Sequence, residues 1–317
     1  MAIDFVMCVR NIKDEAFGNE PASTQYLFVP EGEDPSPKHA QERLAWTEAV
    51  VAESTSSHNE RGEPLGDLLV FIHGFNTSQS AVMQRHRKLK DDLGQLGFNG
   101  GVASFDWPSA DSALNYLEDR SDAKKSALQL VTDGIVLFSQ YHQKDCRINV
   151  HLLAHSMGAL VVREAFDDAD DRRRLAAANW MTSQIMLIGA DISKGSLSET
   201  SSSSESLYRH CVRLTNYSNR EDAVLALSNV KRAGVAPRAG RHGLPSDAPS
   251  HAVNVDCGDY WRTIPSDRDT IGNRRHSWHI GDPVFTKDML LTIQGVDRNS
   301  MPTRAIKDGQ LVLRMPA

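Results

Sequence analysis

The stretch Ile148-Asn149-Val150-His151-Leu152-Leu153-Ala154-His155-Ser156-Met157-Gly158-Ala159-Leu160 decides the reading of this 317-residue chain. It reads as a buried strand, a sharp turn and the start of a helix, with one serine at the apex. A serine on a strand-to-helix turn, with small residues two before and two after it, forms a nucleophile elbow. The small residues have a steric reason. The turn strains the serine backbone and brings the helix close to the strand, so bulk at Ala154 or Gly158 would clash. Ala154 stands where glycine is commoner. The helix start also aims free backbone N–H groups at whatever Ser156 attacks.

Outward from the elbow, strand-like and helix-like segments alternate from about residue 65. Leu68-Leu69-Val70-Phe71-Ile72 is a continuous apolar run, as expected of a strand covered on both faces. A helix pattern follows at 80–96, a strand at 102–105, and a mainly helical stretch at 111–141. Strands are expected at 184–188, 211–214 and 252–255. A last helix in 281–294 should start near Asp282-Pro283, a good start signal. This alternation predicts an α/β fold with a mostly parallel, doubly wound sheet. Residues 1–64 add two candidate antiparallel edge strands (5–9 and 26–29) and an amphipathic helix (40–53). They are expected to belong to the same domain as the 65–317 core. Residues 195–206 contain seven serines and read as a flexible loop or weak helix, a surface connection rather than a lid.

Composition narrows the class. The chain is 40% hydrophobic and 24% charged, with a formal net charge of -6. That balance suits a globular protein and gives no overall pull toward nucleic acid or anionic membrane. The basic run Arg172-Arg173-Arg174 reads as a solvated helix face. Cys8, Cys146, Cys211 and Cys257 form no CxxC pair and read as buried free thiols in a reducing compartment. With no secretory signal in 1–10 and no run long enough to span a bilayer, the expected location is the cytoplasm. No metal-binding or nucleotide-binding motif appears, so no cofactor and no metal is expected.

An acyl-transfer serine needs a base, an acid that orients it and a pocket for the oxyanion. His73-Gly74-Phe75-Asn76 follows the strand ending at Ile72. Folds with this elbow take one oxyanion donor from that loop and one from the residue after the serine, here the N–H groups of Phe75 and Met157. His73 is expected to brace the loop. Trp107 and Phe75 are candidate pocket walls, with loop anchoring the alternative for Trp107. The acid should follow a late strand. Asp222 is the first choice, Asp191 the second and Glu221 the third. The base should lie near the C-terminus. His276 is preferred, His279 is the close alternative, and His251 and His242 fit less well. Ser156, Asp222 and His276 then run in the order this fold imposes.

The chain resembles the α/β-hydrolase superfamily. More narrowly, it is similar to bacterial hydrolase-like proteins of unknown function with an HGFN turn (73–76), a WPS segment (107–109) and an AHSMG elbow (154–158). Further matching pieces are Asn219-Arg220-Glu221-Asp222-Ala223, Arg232-Ala233-Gly234 and His276-Ser277-Trp278. A tyrosine is more usual where Trp278 stands. The resemblance covers roughly residues 65–295. It implies an esterase- or lipase-like serine hydrolase in which Asp222 and His276 complete the triad, with a small-molecule acyl substrate. Thioesters and amides are served by the same triad. The competing reading is a catalytically inactive scaffold that binds through its surface.

Overall fold

In a computed structural model, the residues described are 2–109, 116–136, 147–177, 180–230 and 236–316. The strands are β1 (Ile3–Lys13), β2 (Ala16–Pro30), β3 (Ala40–Gln41), β4 (Thr55–His58), β5 (Pro64–Ile72), β6 (Gly101–Asp106), β7 (Arg147–His155), β8 (Thr182–Ile188), β9 (Cys211–Ser218), β10 (Ala252–Asp256), β11 (Arg304–Lys307) and β12 (Gln310–Leu313). The helices are α1 (Arg43–Ser54), α2 (Gln79–Gln95), α3 (Tyr116–Gln129), α4 (Gly158–Asp170), α5 (Arg173–Ala176), α6 (Ser202–Arg209), α7 (Ala223–Val230), α8 (Ala239–His242), α9 (Gly258–Thr263), α10 (Arg274–Ser277) and α11 (Pro283–Ile293). Both ends of the 111–141 stretch (111–115 and 137–141), Cys146 and Arg232-Ala233-Gly234 lie outside the described residues.

One twelve-stranded sheet runs β11-β12-β10-β9-β8-β7-β5-β6-β1-β2-β3, with β4 paired to β5 off this path. From β12 through β10, β9, β8, β7, β5 and β6 to β1 every pairing is parallel. The antiparallel steps lie at the margins, β1 with β2, β2 with β3, β11 with β12 and β4 with β5. β1 is therefore itself an inner strand, joined in parallel to β6, and β2 with β3 forms the N-terminal antiparallel edge. The closing hairpin β11–β12 carries no strong apolar run and was not among the expected strands.

Alternation along each strand builds two cores. Leu68, Val70, Ile72, Leu152, Ala154, Ile185 and Leu187 join α1, α3 and α4 on one face of the sheet. Leu69, Phe71, Leu153, Met186, Ile188, Val253 and Val255 face α2 and α11 on the other. A strand buried on both faces must be apolar at every position, which is why β5 reads as an unbroken run. Asp282 caps α11 by accepting from the N–H groups of Val284 (3.0 Å) and Phe285 (2.9 Å), with Pro283 in the first turn. The serine-rich stretch ends in α6. There Ser204 and Ser206 are buried and donate to the carbonyls of Ser196 and Phe166, so it is a packed connection.

The strand order reverses at β5. From β5 the chain goes to β6 on one side, and β7 then pairs on the other. Open α/β sheets hold ligands at such a switch point, beyond the carboxyl ends of the strands. Ile72 lies opposite Ala154, and His155 opposite Ile188. The loops after β5, β7 and β8 therefore leave the sheet side by side.

Candidate active site

The elbow has the geometry its sequence demands. Ser156 sits at φ +56°, a left-handed conformation that costs a non-glycine residue free energy. Its neighbours hold it there. Ser156 N–H donates to the Ile188 carbonyl (3.0 Å), and its own carbonyl accepts from Asp191 N–H (3.0 Å). Behind it α4 starts at Gly158, where an added Cβ would lie 2.5 Å from the Ile72 carbonyl oxygen. Helix and strand meet only because that atom is missing. Met157 lies at the N-cap of α4 with its side chain buried. Its N–H precedes the first helical turn and so has no intrahelical acceptor.

The loop after β5 closes over the serine. A Cβ on Gly74 would come 2.7 Å from Ser156 Cβ, so only glycine lets the backbone pass. Trp107 anchors this loop. Its indole N–H donates to the His73 carbonyl (2.8 Å), and the two rings stack at 5.3 Å. Ser109 ties in further, accepting from Thr77 N–H and donating to the Thr77 carbonyl, both at 3.2 Å. His73 is wholly buried, hydrogen-bonded to the Gly74 carbonyl and to Asp106 (3.1 Å), and braces the turn. Phe75 is half-buried against the first core.

Asp222 and His276 are brought together across 54 residues. His276 Nδ1 lies 2.7 Å from Asp222 Oδ2, and both side chains are buried. The carboxylate accepts, so Nδ1 carries the proton and Nε2 presents its lone pair. Nε2 is buried and has no hydrogen-bond partner among the described residues. Asp222 Oδ1 accepts from Leu225 N–H (3.0 Å), which fixes the carboxylate at the start of α7. The His276 ring packs beside the elbow. It lies 4.7 Å from the His155 ring, and His276 Cε1 would be 2.9 Å from a Cβ on Gly189, the residue after Ile188.

The alternatives are spent elsewhere. Asp191 pairs with Arg238 (3.2 Å), and it is its backbone N–H that meets the elbow. Glu221 pairs with Arg262 at the surface. His279 stacks on Trp278 at 4.1 Å in the second core. His251 packs its edge on Tyr208, and His242 is exposed. Two neighbours of His276 carried no role in the sequence reading, Gly189 and His155. Their signal was only position, one beside the serine and one at the end of the next strand. Among the described residues no group of three His, Cys, Asp or Glu side chains is placed to hold a metal ion. No helix among them is long and apolar enough to cross a membrane.

Burial also sets a pH dependence. It pushes the pKa of His155 well below the ordinary histidine value, and His276, Arg85 and His279 add to the effect. His279 is pushed down in the same way, by burial and then by His276. An unfolded histidine titrates near ~6.5. Below that pH the unfolded chain binds protons the folded chain refuses, so stability falls as pH falls. Asp4, held down at about 2 because His86 and Arg87 outweigh burial, adds no slope in this range. Each ring is expected to cost up to about 1.4 kcal/mol per pH unit below about 6.5. Urea midpoints should drop between about pH 7.5 and 5.5, and less steeply in His155→Gln. A midpoint level across that range would contradict this.

Residues 51–249 match the family described as "Alpha/beta hydrolase of unknown function" (DUF900). The chain belongs to this family. The matched stretch contains Ser156 and Asp222 and stops short of His276. No curated protein matches the chain. Solved structures similar to this α/β hydrolase include a protein designated a cell surface hydrolase from Lactobacillus plantarum WCFS1, at 16% identity and TM-score 0.39, covering 73% of this chain and 90% of its own. Another, designated a hydrolase, is from Agrobacterium vitis S4, at 11% identity and TM-score 0.40, covering 93% and 99%. A third is Est1E from Butyrivibrio proteoclasticus, at 13% identity and TM-score 0.35, covering 75% and 92%.

Proposed function

We propose that this α/β hydrolase is a serine hydrolase that cleaves a carboxylic ester or related acyl substrate through Ser156, His276 and Asp222. The buried Asp222–His276 pair carries the proposal. It aligns an imidazole whose free Nε2 has no other duty, packed against the residues that flank a strained serine.

In this reading Nε2 of His276 takes the Ser156 proton as the serine oxygen attacks the carbonyl carbon. Asp222 keeps the imidazole in the correct tautomer and stabilises its charged form. The N–H groups of Phe75 and Met157 hold the oxyanion, a service in which one donor is worth on the order of 10²–10³ in rate. The imidazolium then protonates the leaving group, and water repeats the sequence on the acyl-enzyme. Esters, thioesters and amides differ only in the leaving atom. The buried thiols Cys8, Cys211 and Cys257 suit a cytoplasmic setting, where no disulfide is needed.

The test is labelling of the folded protein with a fluorophosphonate probe, read by intact mass and peptide mapping. One adduct on Ser156, absent in Ser156→Ala, is the expected result. A folded protein that takes no label would instead be an inactive scaffold.

A further inference from the structure

A concavity lies apart from the elbow, with none of Ser156, Asp222 and His276 in its lining. A cleft of about 690 Å³ opens between α8, the 243–250 loop and the strands β10 and β12. Its volume is that of a small-molecule site. On β10, Val255 is buried in the second core, while Val253, Asn254 and Asp256 line the cleft, the last two half-buried.

Four cations converge on this space, Lys194, Arg220, Arg241 and Arg298. Asp256 is the acidic residue of the lining, and it is engaged by Arg220 (2.9 Å) and by Gly258 N–H (2.7 Å). The other three cations donate to backbone carbonyls. Lys194 Nζ reaches His242 (3.2 Å), Arg241 Nη1 reaches Asp222 (2.6 Å), and Arg298 Nη1 reaches Ser250 (2.8 Å). None of these three pairs with a carboxylate among the described residues. All three are half-buried, so their heads are held in place instead of sweeping through solvent. The chain as a whole carries a formal charge of -6, so this positive field is local.

We propose that the cleft binds a small organic phosphate ester. Guanidinium groups pair with phosphate oxygens in two parallel hydrogen bonds, and a lysine adds a compact charge. Gln310 offers hydrogen bonds to a polar body, Asn254 being already bonded to Asn216 (2.8 Å) and Ser218 (3.1 Å), and Leu244 and Leu311 offer apolar contact. The occupant would meet Arg241, whose guanidinium holds the main-chain carbonyl of Asp222. The site thus adjoins the acid loop and is separate from the elbow. Its existence does not depend on the hydrolase reading.

The experiment is calorimetric titration of the full chain with glycerol 3-phosphate, with inorganic pyrophosphate as a second arm at matched ionic strength. The double variant Lys194→Gln/Arg298→Gln is compared, together with each single variant, and thermal melts check folding. Saturable binding of glycerol 3-phosphate, weakened about 10-fold or more in the double variant or about 3-fold in either single one, is expected. Three results would overturn the proposal: no saturable binding up to about 10 mM, unchanged affinity in folded variants, or binding of pyrophosphate alone.

Discussion

Asp222→Asn is expected to lower kcat for a p-nitrophenyl ester by about 10⁴-fold while leaving the fold intact. The reason is directional. Asp222 Oδ2 accepts from His276 Nδ1 at 2.7 Å, and that bond places the lone pair on Nε2. An asparagine amide turned toward Nδ1 donates instead, so Nδ1 must accept, and Nε2 carries the ring proton and cannot accept one from Ser156. Asparagine has the same shape, and Oδ1 can still accept from Leu225 N–H. The loss should therefore fall on kcat with KM little changed. Glu221→Gln, one residue earlier and paired with Arg262 at the surface, should leave turnover within about twofold. A fall of less than about tenfold in Asp222→Asn would remove Asp222 from the triad. Esters of increasing acyl length, with acyl-CoA and amide substrates alongside, would then define the leaving group.

The largest stability loss is expected from Asp106→Asn, about 3–5 kcal/mol. Asp106 ends β6 with its carboxylate wholly buried. It accepts from Arg10 Nε (2.9 Å) on β1, from Gln79 Nε2 (2.7 Å) on α2 and from Cys8 Sγ (3.5 Å), and it meets His73 Nε2 at 3.1 Å. Burial alone would raise its pKa. Arg10, His73 and Gln79 outweigh that and hold the carboxyl far below the usual range. Asparagine keeps the shape and removes the charge, which leaves the Arg10 guanidinium, 3% exposed, without a counter-ion. A buried charge stripped of its partner is among the costliest single changes. Urea unfolding near neutral pH measures it, and a loss under about 1 kcal/mol would show that Arg10 finds another partner. On the proposed mechanism, the same substitution frees His73 and loosens the loop that carries Phe75, so ester turnover should fall as well.

Much of the fold was legible because it depends on local pattern. β5, β7 and β8 carry unbroken apolar runs at 68–72, 152–154 and 185–188, as a strand covered on both sides requires. Asp282-Pro283 announced α11 by capping chemistry that is complete within three residues. Ser156 announced itself because its turn needs small neighbours at fixed spacing. The short hairpin β11–β12 gave no such signal, since each strand is only four residues long and β11, at the sheet edge, is polar at half its positions. The place of β1 was hidden for another reason. Nothing in residues 3–13 says whether a strand pairs parallel with β6 or lies at the margin. That is settled by Arg10 reaching Asp106 from 96 residues away.

The sequence by itself determined the elbow, the doubly wound order of strands and helices, and a short list of acids and bases in the right order along the chain. Only tertiary structure chose among that list. Asp191, Asp222 and Glu221 all follow strand ends, and His276 and His279 lie three residues apart. Packing spends Asp191 on Arg238, Glu221 on Arg262 and His279 on Trp278, and leaves His276 with Asp222. Periodicity and capping act over a few residues and leave a mark in the sequence. A hydrogen bond between two side chains 54 residues apart depends on where the sheet brings their loops together, and no local pattern records it.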